Sequence, residues 1–200
     1  MLVAKTVIVF AAIVATALSR LRAYHPFPSF GPANATTAVR AALTAAVCGC
    51  IGEAHSPALA IGAVTAASAA TLLDGVDGWL ARRTRMASAF GARFDMEVDA
   101  LLILALAILV WRYGKAGAWV LVSGLLRYAF VAAGWFAPWL NRPLTPSQRA
   151  RFICVVQMLA LLVALLPAVP PPASAPVAAI GTLALVYSFA VDTLWLWRHR

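Results

Sequence analysis

The chain predicts an all-α fold, a polytopic transmembrane helical bundle, on three observations. Hydrophobic residues make up 63% of its 200 residues and charged residues only 12%, well outside the range of soluble globular domains. The apolar residues form seven long runs broken by Gly, Pro and charge. A backbone in hydrocarbon must also satisfy its own hydrogen bonds, which a helix does within a single segment. Six or seven spans of about 20 residues use up such a chain. Residues 1–200 therefore read as a single membrane domain.

The first segment, roughly residues 2–19, carries Lys5 ahead of its apolar run and the small residues Ala15 and Ala17 near its end, a pattern that imitates a signal peptide. Arg20 and Arg22 follow it, and on positive-inside grounds residues 1–22 are expected to be a retained N-terminal helix. The second segment covers roughly 35–52. The third, roughly 57–83, opens on Ser56 and Pro57, an N-cap followed by a proline at the first helical position. A short turn over 83–88 joins it to the fourth, roughly 88–111, so these two should be antiparallel neighbours. The fifth covers roughly 117–138. Thr145 and Pro146 repeat the cap-and-proline device before the sixth, roughly 146–168. "PAVPPPASAP", residues 167–176, reads as an exposed loop, and the seventh segment runs roughly from 175 to 197.

A net charge of +9 could suggest nucleic acid, but the basic residues sit singly or in pairs at the ends of apolar runs and form no stripe. They report topology instead. With the Arg82, Arg83, Arg85 turn in the cytoplasm, alternation puts Arg20, Arg22, Arg142, Arg149, Arg151, Arg198 and Arg200 on the same side and leaves Lys5, Arg112 and Lys115 outside. This orients the chain in the cell inner membrane. Trp111, Trp119, Trp139, Trp195 and Trp197 fall near span ends, as interfacial belts require. Cys48, Cys50 and Cys154 lie in apolar runs and read as packing residues. Arg40, Arg93 and Arg127 belong to no loop, and intramembrane cations default to functional hypotheses.

Five of the seven acidic residues lie in "LLDGVDGWLARRTRMASAFGARFDMEVD", residues 72–99. Asp74, Asp77, Gly78, Ala81 and Arg82 share one face of the third segment, and Gly91, Asp95 and Asp99 recur along one face of the fourth. Glu97 projects away from that face. Four carboxylates cannot crowd together ionised without compensation. Oxygen ligands with no His or Cys nearby suit Mg²⁺ or Mn²⁺, and a two-ion site would serve phosphoryl chemistry. The plainer reading, salt bridges from these aspartates to Arg82, Arg85 and Arg93, does not account for the full spacing.

That spacing resembles the signature of the CDP-alcohol phosphatidyltransferases, whose positions are matched by Asp74, Asp77, Gly78, Ala81, Arg82, Gly91, Asp95 and Asp99. "PANATTAVR" is also similar to the family's first-helix pattern, through Asn34, Thr37 and Arg40. The resemblance implies six family helices over residues 34–200, with the N-terminal helix as an addition. It implies transfer of a phosphatidyl group from a CDP-linked lipid, CDP-diacylglycerol in the usual case, to the hydroxyl of a small alcohol with release of CMP. Asp74, Asp77, Asp95 and Asp99 would hold two Mg²⁺ or Mn²⁺ ions, with Asp99 a ligand or the catalytic general base. Asn34, Thr37, Gly78, Ala81, Arg82 and Gly91 would surround the CDP moiety. Expected partners are the donor lipid, the alcohol, the bilayer and a second copy of the chain.

Arg127 lies roughly 16 Å along its helix from the cytoplasmic end, against roughly 13 Å for Asp74 and 16 Å for Asp99. It is expected to bind the acceptor or counterbalance the carboxylates. Arg149 and Arg151 are candidates for a phosphate on the acceptor. Two other classes compete: a UbiA-like intramembrane prenyltransferase, which would use an isoprenyl diphosphate, and a cation transporter, in which Arg82 and the glycine spacing would have no purpose.

Overall fold

The computed structural model describes residues 1–24, 26, 27, 29–142, 144 and 147–200, with the side chains of 20–24 outside the description. Among the described residues the only regular structure is helix, with no strand. The helices are α1 Leu2–Tyr24, α2 Pro32–Gly49, α3 Pro57–Thr84, α4 Ala89–Arg112, α5 Leu121–Phe136, α6 Gln148–Leu165 and α7 Ser174–Arg198. Five pass as membrane spans on length and apolarity, namely α1, α3, α5 with its preceding turn, α6 and α7. The other two, α2 and α4, are the more polar. Asn34, Thr37, Arg40 and Thr44 lie along α2, and Arg93, Asp95, Glu97 and Asp99 along the first half of α4. The protein is thus an integral membrane helical bundle.

Several boundaries differ from the sequence reading for local reasons. Ser56 caps α3 as expected, accepting from Leu59 N at 3.1 Å, with Pro57 in the first turn. Thr145 and Pro146 lie outside the described residues, and the cap of α6 is Ser147, which accepts from Ala150 N at 3.4 Å. The proline-rich loop is shorter than expected because α7 begins at Ser174. Pro176 is tolerated in that first turn, where its missing N–H has no intrahelical partner to lose. The fifth segment is broken at both ends. A 3-10 turn over Ala118–Val120 precedes α5, and Pro138 stops the helix at Phe136. Asn141 then reaches back, donating from Nδ2 to Gly134 O at 2.8 Å.

The structure divides into two compact units, Met1–Ala105 and Leu106–Arg200. In the first, α2 and α3 approach through small side chains, with Ala41, Ala45, Ala60, Ala63, Ala67 and Ala70 all buried. Such faces let helix backbones come close where lipid supplies no hydrophobic drive. Helix α1 also packs on α2. Its Phe10, Ile13 and Ala17 pack on the cluster of Ala41, Phe90, Phe94 and Val98, and Lys5 Nζ donates to Glu53 Oε1 at 2.7 Å and Ile51 O at 3.1 Å. Gly31, at φ 80°, makes the entry to α2 in a conformation that L side chains rarely adopt.

In the second unit, α6 and α7 bury Leu161, Ala164, Leu165, Ala178 and Leu185. Lys115, expected in a loop on the outer side, is 8% exposed. Its ammonium donates to Leu166 O at 3.0 Å and Val169 O at 2.6 Å, and Ser174 Oγ donates to Lys115 O at 2.6 Å. The lysine thus ties the chain before α5 to carbonyls of the turn that follows α6.

Candidate active site

Three helices of the first unit build the site. Asn34, Thr37 and Arg40 follow one another at intervals of three on α2, Asp74 and Asp77 are three apart on α3, and Asp95 and Asp99 four apart on α4. Each set therefore shares a helix face. The turn between α3 and α4 is tight. Arg85 ends α3 in the left-handed region (φ 55°, ψ 28°), and Ser88 Oγ accepts from Gly91 N at 3.0 Å as α4 begins.

At the centre lies Arg40, fully buried, in contact with all four signature aspartates. Its Nη1 donates to Asp77 Oδ2 at 2.7 Å and also to Asp95 Oδ1. Its Nη2 donates to Asp99 Oδ1 and lies 3.0 Å from Asp74 Oδ1. The remaining donor, Nε, goes to Ala70 O at 3.1 Å. A guanidinium offers its five N–H groups in one plane, and here they tie three helices to one cation.

The four carboxylates differ in setting. Asp74, Asp95 and Asp99 side chains are 35%, 37% and 21% exposed, whereas Asp77 is 7% exposed. Oxygens of Asp74, Asp95 and Asp99 all lie within 4.8 Å of one another, a spacing that could hold a metal ion. Asp77 is turned inward, with its Oδ2 shared between Arg40 and Thr37, whose Oγ1 is 3.1 Å away. Thr37 Oγ1 is also 3.1 Å from Ala33 O, so a single hydroxyl hydrogen is within reach of two acceptors.

The donor set fits a hard divalent ion. It offers carboxylate oxygens alone, and one guanidinium can balance the charge of only one of the four carboxylates in a partly buried site. Burial of unpaired charge is costly, and divalent cations remove that cost.

The two signature glycines serve different ends. A Cβ on Gly91 would stand 2.8 Å from Asn34 Oδ1 and 3.3 Å from Ser88 Oγ, so glycine here lets α2 and α4 approach. Asn34, 5% exposed, is held by its Nδ2 donating to Phe30 O at 2.5 Å. A Cβ on Gly78 would meet only Arg82 Nη1, at 3.4 Å. That face of α3 stays open beside Ala81, which is half-buried, and Arg82, which is exposed.

The structure thus brings Thr37, Asp74, Asp77, Asp95 and Asp99 together around Arg40, and sets Asn34 against Gly91. Glu97 is exposed, as its position on the far side of α4 requires. The three expected acceptor residues belong to the second unit. Arg127 is half-buried and Arg151 exposed. Arg149 is engaged within the unit, with Nη2 2.5 Å from Asp192 Oδ1, Nη1 donating to Ser188 Oγ at 3.3 Å, and its guanidinium 5.9 Å from the Tyr187 ring centre.

Arg40 is the central residue of the site that the sequence leaves outside the expected ligand and nucleotide sets. Its signal was available, since a cation deep in an apolar run needs buried anions and the chain concentrates them nearby. Within the first unit the carboxylates have Arg40 as a counter-charge.

No curated protein matches the chain. The CDP-alcohol phosphatidyltransferase family does, over residues 30–193, which takes in every member of the carboxylate–arginine cluster and leaves out the whole of α1. The chain is an enzyme of phosphoryl-group transfer in phospholipid biosynthesis and belongs to the CDP-alcohol phosphatidyltransferase family.

Proposed function

We propose that the protein transfers the phosphatidyl group of a CDP-linked lipid, CDP-diacylglycerol, to the hydroxyl of a small phosphate-bearing alcohol and releases CMP, using two Mg²⁺ or Mn²⁺ ions. The observation that carries this reading is the clustering of Asp74, Asp95 and Asp99 oxygens within 4.8 Å at the exposed side of the carboxylate group. Divalent ions held there supply charge neutralisation of the pyrophosphate, so that an electron-rich oxygen can approach phosphorus.

The chain's own residues do the rest. Asp99 accepts the proton of the acceptor hydroxyl, for which it must come within hydrogen-bond reach. The freed oxygen bonds to the lipid-side phosphorus, and the bridging P–O bond breaks to leave CMP. Asn34, Thr37, Gly78, Ala81, Arg82 and Gly91 border the CDP moiety. The open face at Gly78 supports a close approach by the nucleotide, and Arg82 offers a charge-assisted contact to a phosphate. Arg127, Arg149 and Arg151 are assigned to the acceptor, with Arg149 drawing on the Asp192 carboxylate for its orientation. The basic residues at the aspartate end of α3 support a cytoplasmic active site in the inner membrane, and the protein is taken to work as a homodimer.

Purified protein incubated with Mn²⁺ or Mg²⁺, CDP-diacylglycerol and a panel of alcohols tests the reading through CMP release and identification of the lipid formed. Turnover should require the metal and disappear in Asp95→Asn. Turnover of an isoprenyl diphosphate, or metal-dependent ion uptake into vesicles without CMP, would overturn it in favour of a prenyltransferase or a transporter.

A further inference from the structure

The contacts of Arg40 point beyond a scaffolding role. It touches one oxygen of each carboxylate: Oδ1 of Asp74, Asp95 and Asp99, and Oδ2 of Asp77. It does so from the protein interior, itself fully buried, while three of those carboxylates are partly exposed. A carboxylate has two oxygens, so a cation below and a cation above can be served together. We infer that Arg40 is a resident counter-cation of the centre, which keeps the four carboxylates gathered when no divalent ion is bound and lowers the affinity with which such an ion then binds.

Both effects follow from charge. Without Arg40, four carboxylates drawn from two helices would repel one another in a partly buried site, and the group would splay or drag α3 and α4 apart. Arg40 offsets one carboxylate charge of the group, and a bound ion shares its ligands with a nearby positive group. The repulsion is doubled for a divalent ion and is strong at these separations in a medium less polar than water. Arg40 is therefore a positioning residue. Its anchorage makes it hard to displace: Nε is committed to Ala70 O, and Asp77, the carboxylate turned most fully inward, accepts from Arg40 and Thr37 together. The centre is expected to persist without metal, ready to load, and to release its ions more readily than four free aspartates would.

This inference rests on the reading of the aspartates as a divalent-ion centre, and one experiment separates the two. Mn²⁺ binding is measured by electron paramagnetic resonance, and thermal melting with EDTA or Mn²⁺, on the full chain in detergent or nanodiscs. The proteins compared are wild type, Arg40→Met and Arg40→Lys. Wild type should bind Mn²⁺ and melt cooperatively in EDTA. Arg40→Met should melt lower than wild type in EDTA, recover most of the loss in Mn²⁺, and bind Mn²⁺ about tenfold more tightly. Arg40→Lys keeps the charge and should bind Mn²⁺ within about threefold of wild type. If wild type binds no Mn²⁺, the metal reading fails. If wild type binds and Arg40→Met shows equal or weaker affinity, or loses the same stability with and without metal, the Arg40 inference alone is overturned. Should Arg40→Met not fold under either condition, Arg40→Lys decides: a Mn²⁺ affinity changed by tenfold or more would refute the charge argument.

Discussion

Alanine at Gly91 and at Gly78 should have opposite signatures. On helix propensity alone each substitution is favourable by up to about 1 kcal/mol, less at Gly91 because it lies in the first turn of α4. At Gly91 the new methyl would stand 2.8 Å from Asn34 Oδ1, closer than real side-chain carbons come. Asn34 cannot simply swing away, because it is 5% exposed and its amide donates to Phe30 O at 2.5 Å. Overpacking costs about 1–3 kcal/mol and a disturbed hydrogen bond about 0.5–1.5 kcal/mol. Gly91→Ala should therefore lose about 1–3 kcal/mol net. By pushing α2 from α4 it should also shift Arg40 against Asp95, one turn along from Gly91, and lower turnover about tenfold or more. Adding Asn34→Ala should return much of the lost stability, a coupling of about 1–2 kcal/mol. At Gly78 the methyl meets only Arg82 Nη1 at 3.4 Å, so Gly78→Ala should melt no lower than wild type while its KM for the CDP-linked lipid rises. Thermal melting with Mn²⁺ and a CMP-release assay read both quantities. A Gly91→Ala protein as stable and active as wild type, or a Gly78→Ala protein with unaltered donor KM, would refute the respective argument.

Arg127→Ala should raise the acceptor KM about tenfold or more with the donor KM little changed, and an unchanged acceptor KM removes Arg127 from the binding role. Asp192→Asn leaves the partly buried Arg149 guanidinium without its anion and should cost about 1–2 kcal/mol, between the exposed and buried extremes for such pairs. Arg151→Ala, at an exposed position, should melt as wild type does. The hydrogen bond from Lys5, more than the lysine's charge, holds the Glu53 carboxyl below the ordinary glutamate range. A depressed carboxylate contributes stability that is present above its unfolded pKa and lost as pH falls through its folded one. Melting against pH should thus show an acid limb that Glu53→Gln flattens, and an unaltered limb would assign that loss to other carboxylates.

Much of this was legible in the residues themselves. Seven apolar runs became seven α-helices because hydrocarbon leaves a backbone few other ways to satisfy its hydrogen bonds. The spacing of Asp74, Asp77, Asp95 and Asp99 disclosed two carboxylate faces because helical periodicity is a local property. Local chemistry also marked Ser56 and Pro57 correctly as the start of α3. It was less reliable where several breakers compete, as at Pro138, which ends α5 early, and at Pro176, which α7 absorbs in its first turn.

Tertiary structure decided what depends on packing between helices. Charge patterning made Lys115 a loop cation, yet it is buried because it can satisfy Leu166 O and Val169 O some fifty residues away. Spacing made the four aspartates equivalent, and only the approach of α2 separates the inward Asp77 from the open Asp74, Asp95 and Asp99. The central place of Arg40 belongs to the same class. Periodicity says which face of a helix a residue occupies, whereas the partner that face meets is set by how closely small residues such as Ala41, Ala45, Ala67, Ala70 and Gly91 let the backbones come together.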